Sequence, residues 1–278
     1  MASHQLSPAA VHSHGTSFAA PRVAHKLAVL LKELTDLGLQ HVSAPLLKAL
    51  LINSSTHRGD VASIAAGLES YGPKKWLDVL GHGFADPSRA TDCDEHSIIL
   101  FHQGVIDSNQ VAYFDIPIPT SLTGSTSKKR ITITTAHYPE VQKWGLESYL
   151  GVDLKWRMFR GDVSRDEITA AMSTITEFET EVDGIEEADL PNELAFMHRV
   201  TRRSRGTVQH DWLEWTQHRA EFSTNHYTLA IASYKRWQRN QLPVPYAVVV
   251  RIEDLGGIVP VYNDVVSLLV PIETTIRV

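Results

Sequence analysis

The hydrophobic period of this chain changes once, close to Ser97, from helical spacing to the two-residue alternation of strands. Ahead of the switch, Val23, Ala24, Leu27, Ala28, Leu30, Leu31 and Leu34 recur at three- and four-residue intervals. The pattern runs on from Pro21, a residue tolerated in a first helical turn because the N–H it lacks has no acceptor there. Gly38 is a natural stop. So apolar a helix is expected to be buried on most sides. Ser43-Ala44-Pro45 reads as the cap and start of a second helix with a stripe of Leu46, Leu47, Leu50 and Leu51. A glycine-rich stretch, Leu80 to Ala90, closes this part.

After the switch, strands are expected at Ser97–Gly104, Gln110–Ile118, Arg130–His137, Val152–Arg160, Thr207–Thr216, His226–Tyr234, Tyr246–Glu253 and Ile272–Val278. Alternation is clearest at Ile131/Ile133 and at Tyr246/Val248/Val250/Ile252. Turn formers such as Asp107-Ser108-Asn109 and Gly256-Gly257 bound the runs. Ser164–Thr176 reads as a helix with Ile168, Ala171, Met172 and Ile175 on one face and Ser164 as its cap. Helices followed by a run of strands give an α+β chain, the second part a mainly antiparallel β-sandwich of about eight strands with jelly-roll-like connections. The boundary falls between residues 1–92 and 93–278, with a helical and charged insertion at about 164–205.

Charge and composition narrow the function classes. A net charge of −6 implies no general affinity for nucleic acid or an anionic membrane. No apolar run reaches the roughly 18 residues of a membrane span, and the first 20 residues lack the charged and apolar regions of a signal peptide, so none is expected. The single cysteine, Cys93, precludes an intrachain disulfide and favours a reducing compartment, so a cytoplasmic location is expected. Metal-ligand spacings are absent, so neither a metal nor another cofactor is expected. Arg58-Gly59-Asp60 reads as a solvated turn. The acidic run Glu177–Asp189 and the basic Arg199, Arg202, Arg203 and Arg205 read as a solvated crossover or, alternatively, a docking surface.

The candidate chemistry sits before the first helix, in His14-Gly15-Thr16-Ser17-Phe18-Ala19-Ala20-Pro21. A serine at a helix mouth is often an ordinary N-cap. A helix N-terminus also carries about half an elementary positive charge and unpaired N–H donors, which suit an oxyanion. The contiguous string Gly15 to Pro21, followed by Val23-Ala24, resembles the active-site serine motif of the subtilisin-like (S8) serine peptidases. In that family a second helix and a Gly-x-Gly segment follow, and Gly81-His82-Gly83-Phe84-Ala85-Asp86 is similar to it. The resemblance covers about residues 8–92. It implies the C-terminal helical end of an α/β peptidase domain with an appended sandwich, acting on a peptide or protein substrate. By the same resemblance Ser17 is the nucleophile, Gly15 permits close approach to the oxyanion and Thr16 shapes the turn.

A serine needs a base, usually histidine, oriented by a carboxylate. In subtilisin the acid and base precede the serine. Only sixteen residues precede Ser17, with His4, His12 and His14 among them and no Asp or Glu. The expectation is therefore a fragment, inactive alone, that begins after its catalytic partners, which an upstream peptidase segment or another protein would supply. In that case Val23, Leu27, Leu31 and Leu34 are expected to be partly exposed. His82 and His210 read as structural or surface histidines. The rival reading is a non-catalytic binding or regulatory β-sandwich that carries a relic serine helix.

Overall fold

A computed structural model describes residues 15–56, 81–124, 126–142, 144, 149–173, 193–196, 206–216, 226–238 and 242–269. The two-residue alternation builds two antiparallel sheets. Their strands are β1 (Ser97–Ile106), β2 (Val111–Pro117), β3 (Lys129–His137), β4 (Val152–Arg160), β5 (Val208–Trp215), β6 (His226–Lys235) and β7 (Val244–Asp254). One sheet has the order β1-β7-β3-β5 and the other β2-β6-β4. The hydrogen-bonded pairs are nested: β1 with β7, β2 with β6, and β3 with β5. The expected strand Ile272–Val278, Arg58-Gly59-Asp60, both charged runs, Ile175 and the residues before Gly15 lie outside the described residues.

Side-chain alternation explains why the sheets stack. Val244, Tyr246, Val248, Val250 and Ile252 of β7 face Leu154, Trp156, Met158, Leu229 and Ile231 of the second sheet in one apolar core. Gln209 donates to the backbone carbonyl of Leu154 and ties β5 to β4 at one margin. The opposite face of β7 and β3 carries small or polar residues, Ala247, Val249, Ala136, Thr132 and Thr134. Small side chains let a helix layer approach closely.

That layer is α1 (Thr16–Asp36), α2 (Ala44–Asn53) and α3 (Pro87–Thr91). Leu30, Leu34, Leu46, Ala49 and Leu50 pack with Ala136, Ala247 and Val249 of the sheet. The segment before residue 92 thus shares a core with the strands. Ser43 caps α2 by accepting from the Leu46 N–H at 3.3 Å. Gly38, at φ 95°, ends α1 in a Schellman turn: Leu39 N–H donates to Leu34 O at 3.0 Å and Gly38 N–H to Thr35 O at 2.9 Å. On the far side, α5 (Arg165–Ser173) covers the second sheet through Ile168 and Met172, which pack on Phe159, Ala230 and Ala232. Ser164 and Glu167 form its reciprocal capping box. Two short helices, α4 (Thr120–Gly124) and α6 (Val261–Leu268), complete the set.

Two features of α1 differ from the sequence expectation. It begins at Thr16, before Pro21, so the proline lies in the second turn. It is also not buried on most sides: only Leu30 and Leu34 are, while every residue from 15 to 25 is exposed. The reason is geometric. α2 and α3 cover its C-terminal half, and no described element covers the rest. Of the four residues expected to be partly exposed, Val23 and Leu31 are exposed, Leu27 is half-buried and Leu34 is buried.

Candidate active site

Ser17 occupies the second position of α1 and is exposed. Gly15 is the N-cap, with φ 144° and ψ 156°, a left-handed-side φ that side chains rarely adopt. Its carbonyl accepts from Phe18 N–H at 3.0 Å and Ala19 N–H at 3.2 Å. The N–H groups of Thr16 and Ser17 come earlier than the first intrahelical bond and have no acceptor inside the helix. Pro21 removes the donor that would reach back four residues to the Ser17 carbonyl. The result is an exposed hydroxyl beside two backbone donors at the positive end of a 21-residue helix whose first turn holds no acidic residue.

The helix is held from the side by the glycine-rich segment. Phe84 and Thr56 exchange backbone hydrogen bonds at 2.8 and 3.1 Å, which joins this segment to the end of α2. Gly81 and Gly83 turn the chain there with φ of 61° and 100°. The Lys26 ammonium lies 3.7 Å above the Phe84 ring and donates to the Ala85 carbonyl. Three stretches far apart in sequence therefore meet on α1.

A polar chain fixes the helix layer to the sheet. Arg251 Nε donates to Asn53 Oδ1 at 3.2 Å, and Asn53 Nδ2 donates to the Thr134 hydroxyl at 3.1 Å. Thr134 is 2.7 Å from His210 Nδ1, and the His210 ring meets the His82 ring edge-on at 4.9 Å. Arg251 also donates to the Arg89 carbonyl of α3, and Arg89 pairs with Glu253 at 2.6 Å. Asn53, Thr134, His210 and Arg251 are all buried. Burial lowers the Arg251 pKa while Glu253 acts to raise it. Sequence reasoning missed this chain, although an arginine inside the apolar run Val248–Ile252 was a visible signal.

The structure thus places Gly15, Thr16 and Ser17 at one helix mouth, whereas His210 is buried in the polar chain under the end of α2 and the half-buried His82 meets its ring edge-on. His25 lies eight residues beyond Ser17 on the same helix, about 12 Å along its axis, too far to take the serine proton. Asp211 and His210 are adjacent on β5, and the Asp211 carboxylate accepts from the Trp212 N–H at 2.9 Å. Cys93 is a free, exposed thiol. Among the described residues no three His, Cys, Asp or Glu side chains gather as metal ligands would. No described helix is long and apolar enough to cross a membrane.

No family model matches the chain. An uncharacterized protein of Sinorhizobium fredii, y4bN, is 31% identical over 148 residues, which is 53% of this chain and 32% of that protein. The chain thus spans about a third of the length of the curated relative it matches. Among solved structures, the infectious bursal disease virus VP2 subviral particle aligns over 60% of this chain and 36% of its own, at 12% identity and a TM-score of 0.30. Tomato aspermy virus aligns over 78% of this chain and 98% of its own, at 14% identity and a TM-score of 0.27. Likeness at that level assigns neither a fold nor a function.

Proposed function

We propose that this chain carries the nucleophile end of a subtilisin-type serine endopeptidase, with Ser17 as the nucleophile. One observation carries the reading: Ser17 is exposed at the second position of α1, behind Gly15 at φ 144° and beside backbone N–H groups that the helix leaves without acceptors. The ordered sequence of serine helix, second helix and glycine-rich segment supports it, because all three meet at Lys26, Thr56 and Phe84.

In this reading Ser17 Oγ attacks the scissile carbonyl while a base takes its proton. The Ser17 backbone N–H helps hold the resulting oxyanion, Gly15 keeps the approach open and Thr16 sets the turn. The base returns the proton to the departing amine, leaving an acyl-enzyme that water then hydrolyses. In this reading the acid and base come from an upstream peptidase segment or another protein, so the chain by itself is expected to be inactive. The helical layer is then the end of a peptidase domain, and the nested strand pairs are those of a jelly-roll sandwich appended to it.

Fluorophosphonate labelling tests the assignment. A longer protein that includes the upstream gene sequence is expected to label, and Ser17→Ala to abolish labelling, while the 278-residue chain alone stays unlabelled. Absence of labelling in the longer protein, or labelling that survives Ser17→Ala, sinks the proposal.

A further inference from the structure

α2 carries Lys48 to one end of the sandwich, where its ammonium is half-buried. It donates to the Thr207 hydroxyl at 3.0 Å and lies 5.8 Å from the centre of the Tyr138 ring. Both partners are neutral. Among the described residues no carboxylate pairs with it, and burial alone accounts for its lowered pKa. A cation drawn partly out of water without a counter-charge is held at a cost that an incoming anion would relieve.

The described surface around Lys48 is aromatic. Tyr138 is 49% exposed and Tyr149 is 41% exposed. The Tyr149 hydroxyl lies against Gly206, next to Thr207. Backbone bonds hold the described residues on either side: Tyr138 N–H to Pro245 O at 3.0 Å, Gln142 N–H to Tyr149 O at 2.8 Å and Gly151 N–H to Glu140 O at 2.8 Å. Val141 and Trp144 are exposed nearby, as is Leu242, whose carbonyl accepts from the Gln238 amide while the Gln238 N–H donates to Gly151 O. Tyrosine presents a large contact area for little lost rotamer freedom, and aromatic residues are enriched at protein interfaces.

We propose that Lys48, Thr207, Tyr138 and Tyr149 form a docking site for an acidic protein segment, which seats a carboxylate on the Lys48 ammonium and lays apolar side chains on the two tyrosine rings. Charge complementarity selects an acidic occupant. The two half-exposed tyrosine rings offer broad, flat contact area, which suits a peptide chain. The site lies apart from Ser17 and stands whether or not the peptidase reading holds.

Calorimetric titration of the whole chain with two end-blocked hexapeptides tests this. Both carry leucine and phenylalanine around a central pair, glutamates in one and glutamines in the other. The glutamate peptide is expected to bind at least about tenfold more tightly than the glutamine peptide, and less tightly in high salt. Lys48→Met, with an unchanged thermal melt, should remove that tenfold preference, and Tyr138→Ala should weaken both peptides. If Lys48→Met lowers the melt, Lys48→Gln, which keeps a polar tip for Thr207, carries the same expectation. Equal affinity for the two peptides, full binding by the Lys48 variants, or no binding of either peptide would overturn the proposal.

Discussion

At the scale of single residues, the candidate site depends on backbone as much as on the serine hydroxyl. Gly15 holds a φ of 144°, and a side chain there would push the turn toward another conformation and move the Thr16 and Ser17 donors. Gly15→Ala is therefore expected to lower fluorophosphonate labelling of the longer protein by at least about tenfold while changing stability by less than about 1 kcal/mol, because the position is exposed. Labelling at the wild-type rate would show that the turn is not tuned for the oxyanion. Asn53 presents the opposite case, a buried residue with a structural task. Truncation to alanine removes the acceptor of a buried guanidinium and one donor to Thr134. Asn53→Ala should cost about 2–3 kcal/mol in urea unfolding. A double cycle with Thr134→Val should show that the two losses are coupled. Strict additivity would mean the chain from Arg251 to His210 is not a single unit.

Among elements, the decisive contact is α2 against β3 and β7. The sequence made each partner legible: the leucine stripe of α2 and the alternation Tyr246/Val248/Val250/Ile252 that marks the inner face of β7. Seven of the expected strands are present within two residues of their expected bounds, because alternation and turn formers act locally. What could not be read was the second use of β7. Its outer positions Ala247, Val249 and Arg251 form the floor of the helix layer, and nothing in a local window says which helix a small residue receives. Pro21, expected in the first turn of α1, sits in the second, because Gly15 is the N-cap and the helix begins at Thr16. Ser17 was legible as a motif, whereas the polar chain beneath α2 joins residues up to 198 positions apart and leaves no short-range trace. The shared core has a direct consequence. Leu30, Leu34, Leu46 and Leu50 lose the sheet as a partner in an isolated piece ending at residue 92. Each leucine left unburied forfeits about 1.5–3 kcal/mol. That piece is expected to give the circular dichroism and amide spectra of an unfolded or aggregated chain, and a cooperative melt would contradict it.

For the molecule as a whole, acid is the condition that tests how the layers are held. His137 ends β3 inside the protein, 1% exposed. Burial brings its pKa down from 6.5 to about 4, the Lys48 charge adds to the effect and the Val152 backbone opposes it. Between those two values the unfolded chain binds a proton that the folded chain refuses, so stability falls as pH drops through this window. Two and a half pKa steps correspond to about 3 kcal/mol lost by the lower end. His102, half-buried between Phe114 and Tyr246, shifts in the same direction through burial. Asp254 acts further down. Burial alone would raise its pKa, but the Ser127 hydroxyl and the N–H groups of Val259, Ile258 and Gly256 bring it below 3.8. The stability its carboxylate contributes is present above 3.8 and is lost as pH falls through its lower folded value. Unfolding by urea from about pH 7.5 downward should therefore show one loss between about pH 6.5 and 4 and a second below it. His137→Leu, close in volume and without a proton to take up, should flatten the first loss by about 3 kcal/mol and leave the second in place. An unchanged slope in His137→Leu would remove His137 from the acid response and assign it to the other histidines.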